Sequence, residues 1–523
     1  MSNKRSSNEP VAASCSRRSF LKISAVTAAA PSVLQSTAGH AGDVHPTPTS
    51  TDLVFESATT LASMIRQKKV SPAEVVEQQL ARIRQIEPKI QAIEHLADTE
   101  AQALARKAKE AIDAGDVDWD KQPLFGVPIS LKDNIEVRNM PTKCGAPSLK
   151  DYFPEEDATV VRRLKAAGAI IFAKTRMPFL ATQYESANLF GRANNPYDLS
   201  RTVGGSSGGE AALIAAGGSP LGIGQDGNGS IRVPSHWCGT VGLAPSIGRV
   251  SIAGIHPPSE NSMPHWMLRM GPMARRVEDL ALCLSVIAGL DYQDPFTNAF
   301  PIGDYRDVNL PDLTIAYWTH QKGYEHARPT DETIEAIESA ARALEKRGAK
   351  VKRTQPPVDI ESMFQSTMAM YFHDGEEGWS KLLREYKAEG DALLQESTRA
   401  TMDWFHSHTT DEIEGFMDEW PTLRRKVFAS MEGFAAVLAP VCETPAMSHG
   451  TVMRNAVERR SMMHVAIYSP IYAFPFGSVR CSESPEGLPI GVQVVGSAHR
   501  EDIVLRVMAE LEDEFGGWRA SLL

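Results

Sequence analysis

Two glycine-rich loops carry serine residues that could act as nucleophiles. The first loop, 204–209, contains Ser206 and Ser207, and the second, 224–229, leads into Ser230. Glycine lets a backbone adopt positive φ and approach other groups closely, so main-chain N–H groups in such loops can converge on an anion. A helix-forming apolar segment and a short strand-like run separate the loops, which is not typical of a flexible linker. The stretch therefore predicts a site rather than a pair of surface turns.

A serine hydroxyl is a poor nucleophile unless a neighbouring base takes its proton. Upstream, Val127, Ile129 and Leu131 alternate along a short predicted strand that ends at Lys132. Strand ends feed active sites in α/β folds, although a lysine there is by itself more often a solvated surface residue. Lysine can serve as the base if burial or nearby positive charge lowers its pKa from about 10.4. With the serine loops downstream, Lys132 is the first candidate for that base.

The sequence around these residues resembles the amidase signature family, a class of serine hydrolases with a Ser-Ser-Lys triad. The motifs that carry the resemblance are PLFGVPISLKDNI at 123, FGRANNPYDLSRTVGG at 190, GGSSGGE at 204, DGNGSIRVP at 226, CGTVGLAPSIGRVS at 238, GPMARRVEDLAL at 271 and GLPIGVQVVG at 487. The resemblance covers most of 61–515 and is weaker between about 291 and 473. It implies a linear-amide hydrolase that works through an acyl-enzyme and needs no cofactor.

Carried over position by position, the resemblance implies Ser230 as nucleophile, Ser206 as bridging serine in a cis peptide, and Lys132 as base. The backbone N–H groups of the second loop would form the oxyanion hole: Gly227, Asn228, Gly229 and Ser230. The expected supporting residues are Ser207, Asp226 and Arg232. Asp226 and Arg232 would brace the loop as an ion pair, with ordinary surface charges as the alternative.

Two positions depart from the family pattern. Asn228 stands where glycine is usual, and Gln225 stands where threonine is common. Asparagine tolerates positive φ better than most residues, so we expect Asn228 to keep the backbone donor if the loop requires positive φ there. The larger side chain would narrow the pocket near the scissile carbonyl.

Other functions fit parts of the pattern. Residues 204–208 match G-x-S-x-G, the nucleophile elbow of α/β-hydrolases, which would make Ser206 the nucleophile. That motif should follow a strand directly, whereas 195–201 looks turn-like, and this favours the Ser-Ser-Lys triad. An esterase of the same family is a further alternative. A non-catalytic binding protein is the alternative of a different class, because Asn228 could block the oxyanion hole.

The elements around the motifs predict a layered α/β/α fold. A capping box at Ser71 starts a helix, and a second helix covers 97–114. Helix-then-strand units recur at 157–173, at 211–223 and near the C-terminus, as expected for a sheet covered on both faces. The family resemblance further implies a large mixed central sheet. We predict one catalytic domain over 42–523, with a helical insertion around 355–435.

Within that insertion, apolar residues gather at Met363, Phe364, Met368, Met370, Tyr371, Phe372, Trp404 and Phe405. Such a cluster ordinarily forms core, and a wall of the substrate pocket is the alternative. In the second case it would suggest an apolar acyl or aryl substrate.

The N-terminus reads as an export signal over 1–41. A twin-arginine pattern at 16–22 precedes the apolar run 23–34, and small residues follow up to Ala38 or Ala41. The apolar run is too short to span ~30 Å of hydrocarbon and contains Pro31, which argues against a stable membrane anchor. We expect the twin-arginine export machinery as a partner and a periplasmic or secreted mature protein.

Charge and cysteine content limit the partners. Residues 1–41 hold five Lys or Arg and one Glu, a net charge of +4, so the formal charge of −11 becomes −15 after cleavage. This argues against nucleic acid and against a role in tRNA amidation. Five cysteines remain after loss of Cys15, so at least one thiol is unpaired, and no spacing suggests a metal site. The sequence leaves the assembly state open, a homodimer included.

Overall fold

The computed structural model describes residues 53–258, 267–321, 328–371, 375–389, 399, 402–452, 462, 464–521 and 523. The predicted signal peptide and Phe372 lie outside the described residues. The helices are α1 (Ala58–Arg66), α2 (Pro72–Ile90), α3 (Asp98–Ala114), α4 (Thr159–Ala166), α5 (Gly208–Ala215), α6 (Arg232–Cys238), α7 (Val277–Ile287), α8 (Asp331–Lys346), α9 (Ile360–Tyr371), α10 (Gly375–Glu385), α11 (Thr410–Ala429) and α12 (Glu501–Phe515).

The strands are β1 (Ile93–Leu96), β2 (Pro128–Lys132), β3 (Ile170–Thr175), β4 (Ala187–Asn188), β5 (Gly191–Arg192), β6 (Asn194–Asn195), β7 (Asp198–Thr202), β8 (Leu221–Asp226), β9 (Val241–Ala244), β10 (Arg269–Ala274), β11 (Thr314–Tyr317), β12 (Lys350–Arg353), β13 (Ala436–Pro440), β14 (Phe476–Glu483) and β15 (Pro489–Gly496). Eleven of them form one sheet in the order β1-β3-β2-β8-β10-β9-β14-β15-β13-β11-β12. Its pairs β2–β3 and β2–β8 are parallel, and β8–β10 is antiparallel. The predicted mixed central sheet is therefore confirmed.

Helices cover both faces of this sheet because side chains alternate along each strand. On β3, Ile171 lies in one hydrophobic cluster, whereas Ile170 and Phe172 lie in a second cluster on the opposite face. Helices α7, α8 and α12 contribute to the first cluster, and α5, α6 and α9 to the second. The arrangement is the layered α/β/α fold that the repeated helix–strand units predicted.

Local sequence signals account for several element boundaries. Ser71 caps α2 with the predicted capping box to Glu74, and Pro72 stands at the first turn. The prediction for 195–201 was wrong in part, because Asp198–Thr202 is a strand rather than a turn. This strand pairs with β6 in a separate two-stranded sheet, and Arg201 forms an isolated bridge with Ser448. The first loop is consequently not mounted on the central sheet as a nucleophile elbow would be.

Between β12 and β13 the described residues contain α9, α10 and α11, within the predicted insertion. The predicted core role is confirmed for Met363, Phe364, Met368 and Trp404, which are buried in the second cluster. Met370, Tyr371 and Phe405 are half-buried against it. The described residues between 53 and 523 belong to one compact unit.

The cysteines of the mature chain are all reduced and buried: Cys144, Cys238, Cys283, Cys442 and Cys481. This agrees with the prediction of at least one unpaired thiol. Among the described residues, no helix has both the length and the apolar content to cross a membrane. In the same ranges, no three His, Cys, Asp or Glu side chains are grouped as they would be around a metal ion.

Candidate active site

Lys132 and Asp226 lie at the same edge of the sheet. Lys132 ends β2, Asp226 ends β8, and these neighbouring strands run parallel, so their carboxyl ends meet. The Lys132 side chain is fully buried, and its Nζ is 2.6 Å from Ser206 Oγ. A second, longer contact of 3.5 Å joins Nζ to Gln225 Oε1, which also accepts a hydrogen bond from Asn134 Nδ2.

Burial lowers the pKa of Lys132 from its ordinary value to about 7. An ammonium group loses its hydration inside the protein, so the neutral amine is favoured. The negative charge of Asp226 acts in the opposite direction but does not offset the loss of hydration. A substantial fraction of Lys132 is therefore neutral near pH 7 and able to accept a proton.

The first loop holds Ser206 between two fixed points. The peptide bond between Gly205 and Ser206 is cis, as the family resemblance implied, and α5 begins at Gly208. Ser186 supports both sides: its N–H donates to Gly204 O at 3.1 Å, and its Oγ accepts from Gly208 N–H at 3.0 Å. Ser206 is buried next to Lys132 as a result.

Ser207 joins the first loop to the second. Its N–H donates to the carbonyl of Ser230 at 3.1 Å. Its Oγ donates to Gln225 O and accepts from Gln225 N–H, both at 3.2 Å. Ser206 and Ser230 are thereby held on adjacent backbone segments, and Ser230 is half-buried whereas Ser206 is not accessible.

Asp226 organises the second loop from inside. Its carboxylate accepts from the N–H groups of Gly229 at 2.7 Å and Ile231 at 3.1 Å. Gly229 has φ of 110°, a conformation that favours glycine, and an added Cβ would meet Val465 at 2.6 Å. The loop therefore folds tightly over the carboxylate.

Arg232 neutralises that carboxylate with a two-point contact. Its Nε and Nη2 donate to the two oxygens of Asp226 at 3.0 and 2.9 Å, and both side chains are fully buried. Burial alone would raise the pKa of Asp226, but the charge and hydrogen bonds of Arg232 hold it below its ordinary value. The remaining Arg232 donors reach Gln493, Val465 and Ser469. The surface alternative for this pair is excluded.

The predicted oxyanion donors divide into two groups. The Gly229 N–H is taken by Asp226, because the positive φ of Gly229 accompanies a turn around the carboxylate. In the described part of the chain, no acceptor pairs with the N–H of Gly227, Asn228 or Ser230. Three of the four predicted donors therefore have no acceptor among the described residues.

The second loop does not require positive φ at residue 228, so the condition under which asparagine would be favoured there is not met. Asn228 is not among the positive-φ residues, and the adjacent Gly229 takes that conformation instead. The Asn228 side chain is used differently: Nδ2 donates to the Tyr184 hydroxyl at 3.1 Å, and that hydroxyl donates to Asn228 O at 2.7 Å. Sequence analysis missed Tyr184, which lies 44 residues away with no spacing that marks it.

Sequence analysis also missed Glu210 in α5. Its carboxyl group is fully buried and accepts hydrogen bonds from Ser130 and Thr175 on β2 and β3. Burial raises the pKa of Glu210 to about 7, with these hydrogen bonds opposing the rise. A charged residue inside an otherwise apolar helix was the available signal. Glu210 thereby attaches α5 to β2, which ends at Lys132, and to the neighbouring strand β3.

Comparison with known proteins places the chain in a family. The amidase family model matches residues 74–505, and the fold and motifs agree with it. The chain belongs to the amidase signature family. A glutamyl-tRNA(Gln) amidotransferase subunit from Cyanothece sp. is 31% identical over 471 residues, which cover 84% of this chain and 94% of that protein.

Solved structures are similar over nearly the whole described chain. 6-Aminohexanoate cyclic dimer hydrolase in complex with substrate has a TM-score of 0.76 at 26% identity, covering 90% of this chain and 99% of that one. A bacterial aryl acylamidase of the amidase signature family has a TM-score of 0.75 at 26% identity, covering 88% and 96%. This amidase signature enzyme is therefore similar to relatives that are named for different substrates.

The twin-arginine signal is also confirmed. A model of the twin-arginine translocation signal sequence matches residues 14–33, inside the predicted segment 1–41. The signal engages the twin-arginine export machinery and directs this enzyme to the periplasm or the exterior.

Proposed function

We propose that the mature protein is an exported amidase that hydrolyses the C–N bond of a linear carboxylic amide. Ser230 is the nucleophile, Ser206 the bridging serine and Lys132 the base. The observation that carries the proposal is the 2.6 Å contact between Lys132 Nζ and Ser206 Oγ, together with a lysine pKa of about 7. A neutral lysine that is buried within hydrogen-bond distance of a serine hydroxyl is suited to proton transfer.

The relay moves one proton in each direction. Neutral Lys132 takes the Ser206 proton as Ser206 takes the Ser230 proton, and Ser230 Oγ forms a bond to the amide carbon. The oxyanion is held by the N–H groups of Gly227, Asn228 and Ser230, each worth about 3 to 4 kcal/mol of barrier. The Lys132 ammonium then returns a proton through Ser206 to the leaving nitrogen, and the C–N bond breaks. Water hydrolyses the acyl-enzyme and releases the carboxylic acid.

The supporting residues act on the loop rather than on the substrate. The buried pair of Asp226 and Arg232 stabilises the second loop. Ser207 holds the first loop next to it through the hydrogen bond to the Ser230 carbonyl. The chemistry involves no metal, so we expect activity to survive EDTA.

The relatives suggest two different reactions. The Cyanothece relative is named as part of an amidotransferase, and the solved relatives are named as a hydrolase of a cyclic dimer and an aryl acylamidase. Export separates this enzyme from cytosolic tRNA, and the mature chain carries a net negative charge that disfavours binding to nucleic acid. Both facts favour hydrolysis by water over amide transfer to tRNA. An esterase with the same triad is the second candidate, because an alkoxide leaves without the proton that a leaving nitrogen requires.

The deciding experiment is labelling with a fluorophosphonate, followed by peptide mass spectrometry. An adduct on Ser230, lost in Ser230→Ala, is expected. An adduct on Ser206 would support the elbow alternative, and the absence of an adduct would favour the binding protein. Hydrolysis of a matched amide and ester of one acyl group then separates amidase from esterase.

A further inference from the structure

One peptide unit of the second loop is held at both ends. The carbonyl of Asn228 accepts a hydrogen bond from the Tyr184 hydroxyl at 2.7 Å, and the N–H of Gly229 donates to Asp226 Oδ1 at 2.7 Å. These two groups belong to the same peptide plane. The peptide units on either side carry the N–H groups of Asn228 and Ser230, for which the described residues provide no acceptor. Fixing the central plane therefore sets where its neighbours point.

The chain segment that carries Tyr184 also supports the first loop. A Cβ on Gly205 would lie 2.8 Å from the Tyr184 carbonyl carbon and 3.0 Å from Glu185 N, so the Gly205–Ser206 peptide rests directly on this segment. Two residues further on, Ser186 binds Gly204 and Gly208. Tyr184 thus contacts the Ser206 loop through its backbone and the Ser230 loop through its hydroxyl.

The direction of each hydrogen bond at the hydroxyl follows from valence. A carbonyl oxygen can only accept, so the single Tyr184 proton goes to Asn228 O. The hydroxyl can then only accept from the Asn228 side chain, which must present Nδ2 at 3.1 Å. The Asn228 side-chain amide therefore donates to the same Tyr184 hydroxyl that donates to the Asn228 carbonyl. This second hydrogen bond reinforces the first.

We propose that Tyr184 is a positioning residue that ties the two serine loops together and orients the oxyanion donors of Asn228 and Ser230. The proposal rests on the proposed function for its kinetic consequence. In the proposed relay Lys132 supplies the proton of the leaving nitrogen through Ser206, whereas Tyr184 takes no part in that proton transfer. Loss of the tie therefore affects the oxyanion, which forms from amides and esters alike.

The test is Tyr184→Phe, which removes one oxygen and keeps the ring. We expect kcat to fall about tenfold, near the upper end of the effect of losing one neutral hydrogen bond, with KM within about twofold. The loss should be equal for an amide and an ester of the same acyl group. The matched control is Tyr197→Phe. The Tyr197 ring is half-buried and its hydroxyl donates to the carbonyl of Arg519 at 2.6 Å, so kcat should not change.

The Asn228→Gly variant separates two contributions of Tyr184, its hydrogen bond to the residue-228 carbonyl and its contact with the Asn228 side chain. Glycine keeps the main-chain carbonyl, so Tyr184→Phe should cost about the same factor there as in the wild type. If the cost disappears in that background, Tyr184 acts through the side-chain amide and the proposal is overturned.

Hydrogen exchange provides a second measurement that does not need turnover. Tyr184→Phe should speed exchange in a peptide covering 226–231, with unchanged protection elsewhere and an unchanged far-UV spectrum. Unchanged exchange there, or a kinetic loss confined to amides, would contradict the tie. The proposed function fails if the wild type shows no hydrolysis of amides or esters and forms no fluorophosphonate adduct. In that case the hydrogen-exchange measurement still tests the role of Tyr184.

Discussion

At the scale of single residues, the proposed chemistry depends on a lysine that is neutral near pH 7. Lys132 is buried beside Ser206, and its pKa is lowered to about 7 because the ammonium form would lose its hydration. An amine in this state accepts a proton near neutral pH, whereas an exposed lysine would be almost fully protonated.

The pH dependence of hydrolysis tests this directly. We expect kcat/KM to rise through about pH 7 and reach a plateau above it, because protonated Lys132 cannot accept a proton. One pH unit below the midpoint, the rate should be about tenfold below the plateau. Lys132→Ala should lose amide turnover more severely than ester turnover. Equal losses would argue that Lys132 does not serve the leaving nitrogen.

The buried pair of Asp226 and Arg232 is a second residue-scale determinant. Arg232→Met leaves the Asp226 carboxylate buried without its cation, and we expect the free energy of unfolding to fall by about 3 to 5 kcal/mol. Urea denaturation of the purified protein measures it. As control, Arg306→Met removes a fully exposed pair with Asp304, and should leave stability unchanged. Equal effects in both variants would contradict a structural role for the buried pair.

At the scale of elements, close packing of α5 brings Ser206 to Lys132. Gly209 in α5 lies against the backbone at the end of β3, and its N–H donates to Arg176 O at 3.0 Å. An added Cβ would lie 2.5 Å from both N and O of Arg176. Main-chain atoms cannot rotate away as a side chain can, so only glycine permits this distance between helix and strand.

Two glycine substitutions separate packing from helix propensity. Gly209→Ala should lower the free energy of unfolding by about 1 to 3 kcal/mol and reduce activity, because α5 must shift. Gly415→Ala, in α11 with nothing within 4 Å of the added Cβ, should raise stability by up to about 1 kcal/mol. Thermal or urea unfolding measures both. A stabilised Gly209→Ala would show that α5 is not so tightly confined.

At the scale of the whole molecule, burial of the cysteine thiols is compatible with export to an oxidising compartment. Twin-arginine export accepts folded proteins, and the five cysteines of the mature chain are reduced and buried. Burial raises the pKa of the thiols at Cys144, Cys238, Cys283, Cys442 and Cys481. A chain that folds before crossing the membrane presents no reactive thiolate to an oxidising compartment.

The export signal makes its own prediction. Arg17→Lys combined with Arg18→Lys should leave the precursor in the cytoplasm, because this route recognises the arginine pair. Cell fractionation with immunoblotting of precursor and mature forms measures it. Normal periplasmic processing of the double variant would contradict the twin-arginine assignment.

Much of this protein follows from its sequence alone. The capping box at Ser71, the alternation before Lys132 and the spacing of the serine loops are local patterns, so they predicted element type, fold class and family. The need for glycine in the second loop was also visible, although Gly229 rather than residue 228 takes the positive φ.

Tertiary structure decided the rest, because desolvation and hydrogen bonds depend on residues that are distant in the chain. Whether Lys132 is neutral depends on what buries it, and whether Asp226 is a surface charge depends on the sheet and on Arg232. Tyr184 and Asn228 are 44 residues apart in the chain, and no sequence pattern indicates that they are in contact. Spacing along a chain encodes which side chains share a face, whereas a hydrogen bond near 3 Å requires the packed fold.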